Sequence, residues 1–274
     1  MAVWVAVLIS YGVSTGIAMH SAAHRSDDVL TLDMAPDSVD DMYDGCKDKM
    51  RAEANNYLKN EKNVVSNFRL AWEKAEKKWS KKIPGREKKM AIYVYTLNEP
   101  NIYLDFNKAV RTQRSIYKTT FRYHALHFFL TDALQTLNSC KPEEERCLTG
   151  YRRVNSYFSQ DVLNKEIRFG TFTSSRRDQY PRADRFGDKS CFEIVTCFGA
   201  DISLYSELGE SEREVLIPPY EIFKVTEIKR RADEKNLPYV CFVAKTTAVP
   251  VLAHLLPLCS VYEPRHSNHS SPTY

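Results

Sequence analysis

The 274-residue chain is 43% hydrophobic and 12% aromatic, enough for one sizeable core, and it holds no low-complexity tract of the kind that stays unfolded. Its 39 Lys and Arg against 35 Asp and Glu leave a net charge of +4, too slight an excess to imply a nucleic-acid partner. With only 9 glycines and no Gly-x-Gly-x-x-Gly segment, a dehydrogenase holding its dinucleotide along a helix N-terminus is excluded.

Residues 3–13 form a short apolar run, followed by small residues as far as Ala23. The run is too short to span a bilayer and reads as the apolar core of a signal peptide. No Lys or Arg precedes it, so a buried N-terminal strand stands as the alternative. The expectation is a signal over 1–23, cut between 16 and 23, then a folded domain over 24–245 in a secreted protein. Seven cysteines, all beyond residue 23, suit a secreted chain with one left over after pairing.

From about 40 to 138 the pattern is helical. Phe68, Ala71, Trp72, Ala75 and Trp79 keep the i, i+3, i+4, i+7 spacing of one apolar helix face, and Pro84-Gly85 then breaks the chain. The densest basic stretch, KKWSKKIPGREKK over 77–89, spans that break. A solvated helix end and turn is its ordinary reading, preferred to a polyanion site. A second helical pattern runs over 119–137 through Phe121, Leu126, Phe129, Leu130, Ala133, Leu134 and Leu137. From 147 onward the segments shorten. Residues 191–197, 215–217, 222–225 and 239–243 are rich in β-branched and aromatic types, with a charged loop over 229–236. Strands that follow helices, instead of alternating with them, give an α+β fold: a helical part over about 40–138 packed on a mixed β-sheet over about 147–245.

Glu212 and Glu214 flank Arg213 just before an apolar run and two prolines. In a strand they point to one face, which sets two carboxylates side by side at the rim of a rigid element. Like charges that close are unfavourable unless a cationic ligand or transition state uses them. Upstream stand Tyr151-Arg152-Arg153-Val154 and Phe169-Gly170-Thr171-Phe172-Thr173-Ser174-Ser175. An arginine, a hydroxyl and paired acids from three strands resemble the Arg–Ser–Glu-x-Glu signature of the vertebrate arginine-specific mono-ADP-ribosyltransferases, a family with extracellular members. Residues 32–46, 121–133 and 198–202 extend the likeness in the same order, so that it runs from about Leu32 to Cys241.

The resemblance implies an enzyme that consumes NAD, splits nicotinamide from ribose and passes ADP-ribose to arginine side chains of acceptor proteins, with no metal. Glu214 would stabilise the oxocarbenium-like ribosyl cation and bond a ribose hydroxyl. Glu212 would grip the acceptor guanidinium. Arg152 would hold the pyrophosphate or ribose. Its neighbour Arg153 stands where many members have glycine, which leaves open which arginine does so. Ser174 would orient Glu214 or the ribose, Tyr95 and Ser206 would line the NAD pocket, and Tyr205 would contact the acceptor. Outside the family frame each has an ordinary alternative: a salt-bridged surface arginine, a serine bonded to backbone, a tyrosine packed in the core. Arg176 stands where a further serine is often found, and the likeness fades beyond Lys245.

By the same resemblance Cys147 and Cys197 bridge neighbouring strands and hold Arg152 near the site. Cys46 pairs with a C-terminal cysteine, Cys259 or failing that Cys241; Cys140 with Cys191 is a further expected pair. Segment 246–274 departs from the family's last strand and anchor; it ends polar, which does not fit a lipid-anchor signal. Two functional alternatives stand: a catalytically weak NAD-binding or cell-surface interaction protein on the same scaffold, and an enzyme that mainly hydrolyses NAD.

Overall fold

The computed structural model describes residues 29–247 apart from 82, 212 and 231–239. The expected signal segment, the polar tail, Cys259 and Glu212 lie outside the described residues. Among the described residues no helix is long and apolar enough to cross a membrane, and no group of three or more His, Cys, Asp or Glu could hold a metal ion.

Five helices come in succession: α1 (Lys47–Val64), α2 (Ser66–Lys78), α3 (Arg86–Thr96), α4 (Tyr103–Thr112) and α5 (His124–Ser139). The apolar face of α2 buries Phe68, Ala71, Trp72 and Ala75, and Gly85 takes a left-handed φ of 69° in the turn to α3. Helix α5 runs through the core, with 125–134 buried throughout. It starts at His124, not at 119 as the apolar spacing suggests. The reason is tertiary: Glu61 of α1 accepts the backbone N–H of Ala125 at 2.8 Å and so caps the helix from outside. Phe121 and Tyr123 are buried as part of the preceding turn.

Helix α5 also buries His127, whose Nε2 faces the Val39 carbonyl at 3.2 Å and whose Nδ1 accepts from the Tyr43 hydroxyl at 2.7 Å. Burial keeps the ring neutral and pushes its pKa from 6.5 down to about 3. The unfolded chain takes up this proton below about pH 6.5 and the fold does not. The stability involved is therefore complete above that pH and is lost as pH falls, by roughly 3 kcal/mol at pH 4. Burial pushes nearby Asp41 up to about 6, which acts in the opposite sense, so the measurable quantity is a difference. In urea titrations, wild type should lose stability relative to His127→Gln as pH drops from about 7 to 4. A difference that stays level across that range would show that the buried ring takes up the proton as readily as an exposed one.

The rest of the chain supplies the strands β1 (Val29–Leu30), β2 (Leu148–Val154), β3 (Tyr157–Phe158), β4 (Glu166–Ile167) and β5 (Thr173–Arg176). After the short helix α6 (Ala183–Phe186) follow β6 (Ser190–Thr196), β7 (Ala200–Asp201), β8 (Glu214–Ile217), β9 (Phe223–Arg230) and β10 (Val240–Thr246). Eight of them form one mixed sheet in the order β4-β9-β10-β6-β2-β5-β8-β7, with β10 parallel to β6 and the other pairs antiparallel. The expected helical part followed by a mixed sheet is the architecture found. Strand β9 continues to Arg230, so the first residues of the expected charged loop are strand, held by the pairing of Arg230 with Val240.

The bridge Cys147–Cys197 joins the residue before β2 to the residue after β6, as expected. A second bridge corrects two expected pairings. Cys191 and Cys241 are register partners on β6 and β10, with Cα atoms 4.4 Å apart, and they are bonded to each other. Cys241 is therefore not the partner of Cys46, and Cys140, at the C-terminal end of α5, is an exposed free thiol. Cys46 is itself disulfide-bonded, and its expected partner Cys259 lies outside the described residues.

Candidate active site

Strands β2 and β5 are neighbours that meet at a single pair, Tyr151 opposite Arg176. At the touching end Gly150 is required: a Cβ there would lie 2.9 Å from the Cβ of Ser175. Beyond Tyr151 the strands part, and a cavity of about 510 Å³ opens, with Arg152, Val154, Thr173, Phe169 and Phe192 on the sheet side and Arg111 from α4. Arg152 spans the gap, its Nη1 donating to the Ser174 carbonyl at 2.7 Å.

Arg152 also borders a second cavity of about 160 Å³, whose wall includes Ser174, Arg176, Phe186, Leu208 and Glu214. Arg152, Ser174 and Glu214 thus come together from β2, β5 and β8, which lie side by side in the sheet. Arg153 reaches this cavity too, but its Nη1 bonds Asp188 at 2.8 Å and its guanidinium stacks over Tyr180.

The approach to Glu214 differs from expectation in one respect. Arg213 has a left-handed φ of 43°, the chain arrives through a tight turn at Gly209–Ser211, and the strand begins only at Glu214. Among the described residues strand β8 therefore begins after Arg213. Glu214 pairs with Arg176, the last residue of β5, so the ladder has no partner strand further back. Arg213 is held instead by its carbonyl, which accepts the Arg177 N–H, and by an ion pair with Asp178 at 2.6 Å. Glu212 lies outside the described residues.

Tyr95 is 1% exposed and is not on either cavity wall. Its hydroxyl donates to the Phe172 carbonyl at 2.7 Å and accepts from Asn107 Nδ2 at 3.1 Å. Burial pushes the phenol well above its ordinary pKa, with the charge of Glu214 adding to the shift and the Ser174 hydroxyl opposing it. Tyr95 thus underpins the start of strand β5 from the helical part. Ser206 is also buried, its Oγ accepting the Leu208 N–H at 3.2 Å, and it shapes the loop before β8.

Two residues that sequence reasoning missed belong to the cavities. Arg111 stands at the end of α4, where desolvation lowers its pKa, Tyr103 opposes the shift and the nearby Arg152 adds to it. Two guanidinium groups sharing one cavity repel, and an anion relieves the repulsion. Phe186 presents a ring 39% exposed on the wall of the smaller cavity. The available signals were a lone arginine after the apolar residues of α4 and a lone phenylalanine among charged neighbours, neither carrying any spacing.

A cleft that is positive enough for a pyrophosphate and negative where a cation would form suits an enzyme that opens the glycosidic bond of NAD. The fold agrees. A crystal structure of a mutant of the eukaryotic mono-ADP-ribosyltransferase ART2.2 in complex with NADH matches with a TM-score of 0.65 and 29% identity, covering 81% of this chain and 96% of that one. The family model for NAD:arginine ADP-ribosyltransferases matches residues 32–239, and the chain belongs to that family. Human Ecto-ADP-ribosyltransferase 5 is 36% identical over 242 residues, which cover 82% of this chain and 80% of the human protein. Mouse GPI-linked NAD(P)(+)--arginine ADP-ribosyltransferase 1 is 33% identical over 247 residues, covering 82% and 74% respectively.

Proposed function

We propose that this family member moves ADP-ribose from NAD to arginine side chains of acceptor proteins, with Arg152, Ser174 and Glu214 at the centre of its site and Glu212 on the acceptor side. The observation that carries this reading is the meeting of Arg152 and Glu214 across three strands in one cleft. The larger cavity takes the ADP half of NAD, its pyrophosphate beside Arg152 and Arg111. The smaller takes the nicotinamide riboside half, and Phe186 offers its face to the cationic ring.

The bond between ribose and nicotinamide breaks, and nicotinamide leaves with the electron pair as a neutral molecule, so no general acid is needed. Positive charge grows on the ribose, where the Glu214 carboxylate stabilises it. A guanidinium nitrogen of the acceptor forms the new bond to the ribose carbon and gives up a proton, with Glu212 as grip and proton acceptor. Ser174 orients the ribose, and Tyr95 acts through β5 as a positioning residue. An extracellular setting is supported by the bridged cysteines, by the apolar run at 3–13 and by the relatives, one called an ecto-enzyme and one GPI-linked.

The test incubates oxidised protein with labelled NAD and agmatine, a soluble guanidinium. ADP-ribosyl-agmatine is the expected product. In Glu212→Gln, transfer should fall about 100-fold while NAD hydrolysis persists. Nicotinamide release by wild type without ADP-ribosyl-agmatine would make the enzyme an NAD hydrolase. No turnover, with NAD still raising the melting temperature, would favour a binding protein on the same scaffold.

A further inference from the structure

The basic stretch 77–89 has no part in the NAD cleft. It forms the end of α2, the turn at Pro84 and Gly85 and the start of α3, and it rims an apolar pocket of about 150 Å³. Ile92, Ala133 and Leu137 floor this pocket, and Tyr205 walls it. Lys89 stands between two rings, its Nζ 5.7 Å from the centroid of Trp79 and 5.6 Å from that of Tyr205. Lys88 is committed to Asp132 and Thr136, whereas Lys89 has no carboxylate partner among the described residues. An apolar hollow whose rim offers an ammonium fits an apolar side chain lying next to a carboxylate.

Its place in the fold ties it to the reaction. Tyr205 borders this pocket, and Leu208, three residues on, borders the cavity of Glu214. Three residues span at most about 10 Å. The loop between them is fastened to the helical part, with the Glu207 N–H on Thr96 Oγ1 at 2.9 Å and the Glu207 carboxylate on the Asn98 N–H at 2.7 Å. The separation of pocket and acid is therefore set by the fold.

We propose that this pocket docks the acceptor protein, taking an apolar side chain flanked by a carboxylate that lies a few residues from the modified arginine. The proposal rests on the transferase reading. Charge complementarity favours it: the acids draw the arginine while the basic turn draws its acidic neighbour, so a segment carrying both is held at two points. A bare polyanion would meet the lysines but leave the apolar floor unused.

The test compares wild type with the double variant Lys81→Glu, Lys89→Glu on agmatine and on two peptide sets. Each peptide has one arginine, with either a Leu-Glu pair or a Ser-Ser pair placed about two to six residues away. Wild type should prefer the best Leu-Glu peptide about tenfold in kcat/KM, chiefly through KM. The variant should lose that preference and keep agmatine turnover within about twofold. In a second arm, a labelled Leu-Glu peptide with Gln for its arginine should bind wild type about tenfold more tightly than the variant. This arm needs no turnover, so a wild type unable to modify agmatine would sink the transferase reading while binding still decides the docking site. Equal binding of Leu-Glu and Ser-Ser peptides overturns the proposal, as does a variant whose agmatine and peptide rates fall in step. Heparin retention lost in the variant without any peptide preference in wild type also overturns it and assigns the turn to polyanions.

Discussion

Replacing Glu214 with glutamine should lower arginine transfer and NAD hydrolysis together, by about 10³-fold, with NAD affinity almost unchanged. The two reactions differ in acceptor but share the cleavage that puts positive charge on the ribose. Glutamine keeps the size of the side chain and removes the charge facing that cation. A loss of 10³ corresponds to about 4 kcal/mol of transition-state stabilisation. The backbone of Glu214 stays paired with Arg176 in either case, so the fold should survive, and melting temperature is the control. Single-turnover rates at saturating NAD are the readout. A variant within tenfold of wild type would move the charge-stabilising role to another group. Loss of transfer alone would assign Glu214 to the acceptor, the role proposed for Glu212.

Arg152→Lys should lower kcat/KM for NAD by about 100-fold, largely through KM. The guanidinium of Arg152 already gives one donor to the Ser174 carbonyl and borders both cavities, so it must hold the strands and still face a phosphate. A planar fork with five donors does both, and a single ammonium does not. The bond to Ser174 crosses the gap between the parted strands, and its weakening should cost about 1 kcal/mol of stability. Arg153→Lys is the paired measurement. Arg153 is engaged by Asp188, so NAD kinetics should stay within about threefold of wild type. A larger loss in Arg153→Lys than in Arg152→Lys would exchange the roles of the two arginines.

What was legible in the sequence was what local periodicity or motif order encodes. The face of α2 is written at helical spacing, and the strand of Arg152, the strand of Ser174 and Glu214 stand in the order of a known signature. What escaped was decided by partners distant in sequence. The first residue of α5 is set by Glu61 reaching over from α1. The start of β8 at Glu214 is set by where β5 runs out, which leaves Arg213 in a left-handed conformation outside the strand. The pairing of Cys191 with Cys241 follows from parallel register, which no spacing announces. Tyr95 belongs with the site, yet behind it, because burial was invisible before the helical part was seen packed against β5.

The two bridges have a consequence for where this chain is fit to work. Cys147–Cys197 rivets β6 to β2 at one end, and Cys191–Cys241 rivets β6 to β10 at the other. Each closes a loop with a sequence separation of 50, a constraint on the unfolded chain amounting to about 4 kcal/mol when taken singly. The wall of the NAD cleft is thus clamped through its neighbours to the far side of the sheet. In a reducing compartment both rivets open, and the sheet must hold by packing alone. Oxidation acts as a licence: the fold reaches full stability only in surroundings oxidising enough to close the bridges.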